Sequence, residues 1–314
     1  MPEAITTSGL TKVYRAGRGK PSLRAVDHLD LIVPEGQVFG FLGPNGAGKT
    51  TTIRMLTGLT RPSSGSARIL GLDLFSDITR IKKRIGVVLE VSNLYDELSA
   101  FDNLMFAMRL YGVSCMERAA RAEELLARFR LSDKRDTPFA QLSRGMKRAL
   151  TIAAALVHRP SLLFLDEPTT GLDVVSARSL RAMIAGLGKE GITVFLTTHY
   201  LEEAERLCDH IAIVVNGRVV AQDTVAGLKA SVQGEPVVEV TLAGADGEVE
   251  IKRVKAGADL AGALRTALDE TSAQRVIALN TIRPTLEDVF VKLTGLGVET
   301  MLAEKNGKRQ GNAG

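Results

Sequence analysis

Three stretches of the chain are apolar at almost every position. They cover residues 38–42 (VFGFL), 162–165 (LLFL) and 192–196 (ITVFL). Apolar runs of this length are typical of strands buried on both faces, and helix-like patterns follow them, the first over residues 50–59, which predicts a parallel α/β sheet. The runs end in a glycine-rich turn, a pair of carboxylates and a Thr-Thr-His sequence, respectively. Open α/β sheets bind their ligands at such strand ends, so we expect a site there.

Two other patterns surround this predicted sheet. In the first part of the chain, apolar and polar positions alternate in short segments, residues 4–7 and 25–33, which predicts antiparallel strands. Between residues 91 and 158 apolar side chains recur every three or four positions, most clearly over 103–111 and 120–128. This spacing predicts a helical subdomain inserted into the α/β core.

The last part of the chain has a different pattern of apolar and polar positions. Residues 237–242, 249–254 and 274–280 resemble strands, while 259–268 and 285–293 resemble helices. Such a mixture predicts a small α+β unit that is separate from the main core. The predicted organisation is a large domain over residues 1–227, a small domain over 228–303 and a disordered tail over 304–314.

Composition places the chain among ordinary globular proteins. Of its 314 residues, 45% are hydrophobic and 24% are charged, and the formal net charge is +4. The chain has no Trp and 4 Tyr, which disfavours a base-stacking platform, and we predict no nucleic-acid partner. The two cysteines have no partner at a motif spacing, a pattern typical of a reducing compartment.

No targeting or membrane-spanning segment is predicted. The N-terminus lacks the basic and apolar regions of a signal peptide. The longest unbroken apolar run, residues 152–157, is far shorter than the ~20 residues that a spanning helix needs. We therefore expect any membrane role to depend on a partner.

A glycine-rich segment predicts a nucleotide site. Residues 43–50, GPNGAGKT, match the phosphate-loop pattern G-x-x-x-x-G-K-[ST] and lie between a predicted strand and a predicted helix. Glycines let successive backbone N–H groups surround a phosphate, and the helix N-terminus adds partial positive charge. Lys49 is expected to reach the β- and γ-phosphates, and Thr50 to offer its hydroxyl to Mg²⁺. The predicted nucleotide-binding residues of this loop are Gly43, Asn45, Gly46, Gly48, Lys49, Thr50 and Thr51.

The second apolar run supplies carboxylates for the same site. Asp166 follows directly on LLFL and is expected to join the Mg²⁺ shell. Glu167, beside it, is a candidate general base for a water that attacks the γ-phosphate. A hydrophobic strand that ends in two acidic residues is weak evidence of a site on its own. Together with the phosphate loop, it predicts nucleotide hydrolysis.

The order of four motifs resembles the ATP-binding cassette (ABC) ATPases. A phosphate loop, LSRGM at residues 142–146, LLFLDEP and a Thr-Thr-His after a strand follow one another over roughly residues 5–225. The resemblance implies a P-loop NTPase core of the ABC type with an antiparallel β subdomain and a helical subdomain, followed here by the small C-terminal α+β domain. It also implies that ATP and Mg²⁺ are the cofactors.

The resemblance assigns roles to four further residues. Tyr14 matches the aromatic residue on which the adenine ring stacks, with a core tyrosine as the alternative. Glu90 stands where the family commonly has Gln, and is expected to offer an oxygen to Mg²⁺ or to water. Asp173 matches the aspartate that meets the opposite subunit, and His199 the histidine that contacts the γ-phosphate. Lys49, Glu167 and His199 are thus the predicted catalytic residues, and Thr50, Glu90 and Asp166 the predicted metal ligands.

Residues 142–146 have a local interpretation and a functional one. Ser143 is a good helix N-cap, and apolar residues follow it at helical spacing. In the family this segment is the signature, which closes on the γ-phosphate held by the other subunit of a head-to-tail dimer. Ser143 and Gly145 match that pattern, whereas Arg144 replaces a common Gly. Arg144 is expected either to add positive charge near the phosphate or to point to solvent.

The C-terminal segment RPTLEDVF (283–290) resembles the drug-efflux branch, typified by daunorubicin-resistance ATP-binding subunits. This resemblance implies an ATPase subunit that powers export through a separate transmembrane permease. It implies a peripheral location at the cytoplasmic face of the membrane and a second ATPase subunit, most simply in a homodimer. The C-terminal domain is expected to regulate or stabilise the dimer rather than to bind drug.

Alternatives remain from other classes. A soluble ABC ATPase of translation usually carries two cassettes, whereas this chain has one phosphate loop. A repair-type ATPase carries a long coiled coil before the signature, whereas the segment between Glu90 and Leu142 has room only for a helical subdomain. A nucleotide kinase would have no use for LSRGM with a histidine downstream.

Overall fold

The computed structural model describes residues 2–15, 22–232, 237–243, 249–255, 262, 265, 275–282 and 284–302. The chain divides into two compact units. One contains the residues up to Val225 and the segment that begins at Leu296, and the other contains Ala226–Gly295. The division falls two residues before the boundary predicted from the sequence, and the separate function of the smaller unit stays a prediction.

The first unit begins with a four-stranded antiparallel sheet in the order β2-β1-β4-β5. It forms because apolar residues alternate along its two long strands, so that one face is buried, as the sequence predicts. The strands are β1 (Glu3–Tyr14), β2 (Leu23–Pro34), β4 (Ser64–Ile69) and β5 (Leu72–Asp73).

The second sheet has six strands in the order β10-β9-β3-β8-β7-β6. The strands are β3 (Val38–Leu42), β6 (Ile85–Val88), β7 (Leu162–Asp166), β8 (Thr193–Thr198), β9 (His210–Val215) and β10 (Arg218–Thr224). Every residue of β3, β7 and β8 is buried, which explains the apolar runs that these strands contain. The predicted parallel α/β sheet is confirmed, with one antiparallel edge strand, β10, that was not predicted.

Helices connect and cover these strands. They are α1 (Lys49–Leu56), α2 (Ile78–Lys82), α6 (Val174–Lys189) and α7 (Leu201–Leu207). The prediction that the first helix extends over 50–59 is wrong at its end. The cause is Gly58, whose φ of +68° leaves the helical region after the cap at Thr57.

A helical subdomain separates β6 from β7, as predicted. It consists of α3 (Ala100–Leu110), α4 (Cys115–Arg128) and α5 (Arg144–Ala155), with short 3₁₀ turns at Ser132–Lys134 and Phe139–Gln141. Ser99 caps α3 by accepting a hydrogen bond from the N–H of Asp102 at 3.0 Å. The buried residues Leu104, Leu125 and Leu150 lie on the inner faces of the three helices.

One hydrophobic core joins the two sheets of the first unit. The phenylalanines of the central strands meet there, with Phe39 and Phe195 stacked at 5.7 Å between ring centroids. Ile5 of the antiparallel sheet and Ile53 of α1 belong to the same buried cluster. The core therefore holds the start of α1 in a fixed position relative to the end of β3.

The second unit is a three-stranded antiparallel sheet with helices. Its elements are α8 (Val225–Val232), β11 (Val237–Ala243), β12 (Val249–Lys255), β13 (Arg275–Ile282) and α9 (Leu286–Thr294), and α10 (Glu299–Leu302) follows it. Thr285 and Asp288 form a reciprocal capping box at the start of α9. The helix predicted over 259–268 lies outside the described residues apart from positions 262 and 265, and the tail over 304–314 also lies outside them.

In the parts of the chain that the structure describes, no helix combines the length and the apolar character that a membrane span requires.

Candidate nucleotide site

The glycine-rich loop leaves the end of β3 and enters α1. A Cβ atom on Gly43 would lie 2.1 Å from the carbonyl oxygen of Val214, and one on Gly48 would lie 2.4 Å from that of Ala25. Gly48 also has a φ of +99°. Both positions therefore require glycine, because the loop backbone presses against neighbouring backbone.

Lys49 is the first residue of α1, and its side chain turns back over the loop. Its Nζ donates hydrogen bonds to the carbonyls of Gly43 at 2.6 Å and Pro44 at 3.3 Å. The same Nζ lies 3.2 Å from Oε1 of Glu167. With the side chain only 6% exposed, the ammonium is held between the loop and the end of β7.

Asp166 ends β7 and is completely buried. Its Oδ1 accepts a hydrogen bond from Thr197 Oγ1 at 2.6 Å. Its Oδ2 is a buried oxygen for which the described residues supply no hydrogen-bond donor. A buried carboxylate oxygen without a donor suits a cation or a water molecule.

Glu167 is held in an unusual backbone conformation. Its φ is +49°, in the left-handed region that disfavours residues other than glycine. Its N–H donates to Thr197 Oγ1 at 3.0 Å, while its Oε2 accepts from Thr170 Oγ1 at 3.0 Å and lies 2.9 Å from His199 Nδ1. Three neighbours thus orient this side chain, Thr170, His199 and, through its ion pair, Lys49, while Thr197 holds the backbone N–H.

Charge and burial act in opposite directions on Glu167. Burial is the largest single influence and raises the pKa of the carboxyl group. The hydrogen bond with His199 and the positive charge of Lys49 together outweigh it, and the pKa lies below its ordinary value. Glu167 is therefore ionised near neutral pH, as a base must be.

Most of the predicted site residues line one cavity of about 590 Å³. Those that line it are Tyr14, Asn45, Gly46, Gly48, Lys49, Thr50, Thr51, Glu90, Glu167 and His199. Tyr14 is 38% exposed, and Lys12 Nζ lies 5.1 Å from the centroid of its ring. Of the other predicted residues, Gly43 in the loop and Asp166 in β7 are buried and do not line the cavity.

Ser143, Gly145 and Asp173 are not among the described residues that line this cavity. Ser143 Oγ caps α5 by accepting from the N–H of Met146 at 3.3 Å, so its capping interpretation is correct as far as it goes. Asp173 caps α6 through Ser176, and this bonding lowers the pKa of its carboxyl group. A Cβ atom on Gly145 would lie 2.5 Å from Ser176 Oγ.

Arg144 joins these two turns. Its Nη1 donates a hydrogen bond to the carbonyl of Gly171 at 2.7 Å. The signature-like turn and the loop before α6 are therefore linked within one chain. The side chain is exposed, in agreement with one of the two sequence expectations, and this hydrogen bond holds it at the neighbouring loop. The other expectation, a positive charge near a phosphate, stays a prediction.

Sequence analysis missed Arg148 and Thr197. Arg148 is buried on α5 and donates to the carbonyls of Leu89, Asp166 and Pro168. Burial lowers the pKa of its guanidinium, and the nearby carboxylates Asp166, Glu90 and Glu167 act in the opposite direction. Thr197 bridges Asp166 and the backbone of Glu167. Their positions inside KR and TTH segments were visible in the sequence, but nothing there showed what they contact.

Comparison with known proteins identifies the arrangement. Residues 26–170 match the model of the family described as ABC transporter. The chain is 46% identical, over 80% of its own length and 74% of the relative's, to the daunorubicin/doxorubicin resistance ATP-binding protein DrrA of Streptomyces peucetius. It is 45% identical, over 68% of its length and 71% of the relative's, to the Nod factor export ATP-binding protein I of Cupriavidus metallidurans.

A solved structure shares the fold. It is a dimeric ATP-binding cassette in a post-hydrolysis state, bound to ADP and Pi. The similarity has a TM-score of 0.64 at 26% sequence identity, and it covers 70% of this chain and 98% of that one. The uncovered part of this chain corresponds in size to the C-terminal unit and its neighbouring segments.

Proposed function

This chain belongs to the ATP-binding subunits of the ABC transporter family, and from that membership we propose that two such subunits close on ATP to drive export through a separate permease. The protein is an ATPase of the ABC type. One observation carries the proposal: Lys49, Glu167 and His199 converge on a single cavity next to the glycine-rich loop.

The hydrolysis that we propose uses these three side chains. Lys49 binds the γ-phosphate and offsets charge that develops on it. The carboxylate of Glu167 accepts a proton from the attacking water, whose oxygen bonds to the γ-phosphorus as the bond to the β–γ bridging oxygen breaks and ADP leaves. His199 holds Glu167 through the 2.9 Å contact with Oε2 and faces the same cavity. Tyr14 stacks on the adenine ring at the rim.

We propose that Thr50, Asp166 and Glu90 hold Mg²⁺ together with the phosphates. Oδ2 of Asp166 accepts no hydrogen bond from the described residues, and this supports the proposal, because such an oxygen can bind a hard cation or a water molecule on that cation. No group of three or more His, Cys, Asp or Glu side chains suited to a metal occurs among the described residues. When bound, Mg²⁺ neutralises charge on the transferred phosphoryl group.

The shared-site dimer accounts for the residues outside the cavity. We propose that Ser143, Gly145 and Asp173 meet the nucleotide site of the second subunit, most simply in a homodimer. Their turns lie beside each other and are joined by Arg144, so that they can present one combined surface. The dimeric state of the solved cassette supports this geometry.

The permease and the cargo follow from the relatives. The names of the two reported relatives describe drug resistance and Nod factor export, respectively. Because such different cargoes go with similar ATPases, we propose that a separate permease selects the cargo and holds this chain at the cytoplasmic face of the membrane. The C-terminal unit is proposed to stabilise the dimer. No observation favours a role in translation or DNA repair.

Complementation between two inactive variants tests the shared site. In a head-to-tail dimer of Glu167→Gln with Ser143→Arg, one site carries both defects and the other site carries neither. Mixing the two variants is therefore expected to restore ATP hydrolysis that each lacks alone. A mixture that remains as inactive as its components would show that the signature-like turn acts on its own chain's nucleotide.

A further inference from the structure

Arg148 is a buried cation whose fixed partners are all backbone carbonyls. Its Nε donates to Pro168 at 3.0 Å, Nη1 to Leu89 at 2.6 Å and to Glu90 at 3.4 Å, and Nη2 to Asp166 at 2.5 Å. A buried charge is tolerated only when its donors are satisfied. The planar guanidinium thus fixes four peptide units from three different directions.

Two of these carbonyls flank Glu167. Asp166 immediately precedes Glu167, and Pro168 immediately follows it. Glu167 has a φ of +49°, which only surrounding contacts can maintain in a residue with a side chain. Arg148 clamps the backbone on both sides of this residue, while Thr197 holds its N–H.

The other carbonyls lie at the end of β6. Leu89 and Glu90 follow that strand directly, and the side chain of Glu90 lines the nucleotide cavity. Arg148 therefore connects the segment that carries Glu90 to the segment that carries Asp166 and Glu167. Both segments supply carboxylates to the same cavity or to the wall behind it.

The helix that carries Arg148 begins at the signature-like turn. Arg148 follows the cap residue Ser143 by five positions, about 7.5 Å along the helix axis. A rigid helix of this length moves as one body, so a shift of its first turn reaches the guanidinium. The proposed function places that first turn against the nucleotide of the second subunit.

We propose that Arg148 is a positioning residue for ATP hydrolysis, which links the signature-like turn facing one nucleotide to the carboxylates that act on the other. This inference rests on the proposed function. The proposed role requires arginine, because the rigid, forked guanidinium donates hydrogen bonds to several carbonyls at once, whereas the ammonium of lysine is a compact point charge. A closed signature turn would thereby set the orientation of Glu167 in its own chain.

Arg148→Lys in the full-length chain tests this role, with Arg148→Met as the variant that also removes the charge. Arg121→Lys is the matched control, because Arg121, which lies on α4, also donates a hydrogen bond to a backbone carbonyl, that of Leu156 at 2.9 Å. The measurements are kcat at saturating MgATP, the dissociation constant of fluorescent mant-ATP, and the thermal midpoint. Displacement of Glu167 should lower kcat at least about tenfold in Arg148→Lys. The mant-ATP constant should stay within about twofold, since Lys49 and the loop are unchanged.

Each outcome has a definite meaning. A kcat for Arg148→Lys equal to that of Arg121→Lys would overturn the proposal, as would equal losses of affinity and rate. Failure of both Arg148 variants to fold would confine the residue to a structural role and also overturn it. If the wild-type chain itself did not hydrolyse ATP, the proposed function would fail first, which is a distinguishable result.

A double-mutant cycle tests the link to the signature-like turn. Ser143→Ala and Arg148→Lys are combined, and kcat is measured for all four proteins. If Ser143 and Arg148 act on Glu167 through the same contacts, the fold-decrease in kcat of the double variant should be smaller than the product of the two single fold-decreases. Strictly multiplicative effects would show that Arg148 acts without the signature-like turn and would overturn the link.

Discussion

Lys49 and Glu167 form an ion pair, with 3.2 Å between Nζ and Oε1, and both residues line the nucleotide cavity. The side chains of both residues are about nine-tenths buried or more, so their mutual attraction is screened little by water. A γ-phosphate needs the same ammonium that Glu167 now holds. In the mechanism proposed above, binding of ATP is therefore expected to draw Lys49 away from Glu167 and to leave the carboxylate available to a water molecule.

Glu167→Gln is expected to separate binding from hydrolysis. Glutamine removes the negative charge that competes for Lys49, so ATP should bind at least as tightly as to the wild-type chain. Loss of the base should lower kcat by about 10²- to 10⁴-fold. Titration with mant-ATP and a steady-state phosphate-release assay measure the two effects. We expect the variant to accumulate as an ATP-dependent dimer in size-exclusion chromatography.

Glu190→Gln is the control for that substitution. Glu190 pairs with Arg128 at 2.8 Å on the surface and does not line the nucleotide cavity, so its loss should change neither kcat nor affinity. A Glu167→Gln chain that stays monomeric at saturating ATP and Mg²⁺, with or without a permease, would contradict the shared-site mechanism.

The contacts of Glu167 with His199 and Lys49 also predict a pH dependence of stability. The pKa of Glu167 is lower in the folded chain than its ordinary value, so its ionised form stabilises the folded state. That contribution is complete above the unfolded pKa, about 4.3, and is lost as pH falls through the folded pKa. The difference in free energy of unfolding between the wild-type chain and Glu167→Gln should therefore shrink below about pH 4.3. Urea unfolding at pH 6 and at successively lower pH measures it, and a difference that grows on acidification would contradict the pairing.

The fold could be predicted well where burial produces long sequence patterns. Strands β3, β7 and β8 are buried at every position, and each contains an apolar run, VFGFL, LLFL and VFL, respectively. Strand β10 escaped prediction because its residues alternate between half-buried and exposed positions at a sheet edge. Its pattern is that of a surface segment, and only pairing with β9 makes it part of the sheet.

The candidate site was predictable where a motif is local. The phosphate-binding loop needs its glycines and Lys49 within a few positions, so the sequence displays it completely. Arg148 and Thr197 instead both donate hydrogen bonds to Asp166, which is 18 positions from Arg148 and 31 positions from Thr197 in the sequence. A hydrogen bond between residues that are distant in sequence produces no periodic pattern in the sequence. The sequence around Arg148 is equally compatible with an exposed arginine on a helix.

The two cysteines should differ sharply in reactivity. Cys115 is exposed, whereas Cys208 is buried and burial raises the pKa of its thiol. The packing is tight enough that a Cβ atom on Gly40 would lie 2.7 Å from Sγ of Cys208. One of the 2 thiols per chain should thus react rapidly with Ellman's reagent in the native state, and the second only in denaturant. Rapid reaction of both thiols in the native protein would contradict the buried position, and Cys115→Ser should abolish the fast phase.

Arg144→Gly restores the residue that the family commonly has and tests the link between two turns. It removes the 2.7 Å hydrogen bond to the carbonyl of Gly171, which is the contact that joins the signature-like turn to the loop before α6. Because Arg144 is exposed, we expect a change of less than about 0.5 kcal/mol in global stability. The local effect should be larger, with faster hydrogen exchange at residues 171–173 and an unchanged dissociation constant for mant-ATP. Arg144→Ala serves as the control for the added freedom of glycine at the helix start and should show the same exchange. Equal exchange in wild-type and variant chains would mean that Asp173 and Ser176 alone fix that loop.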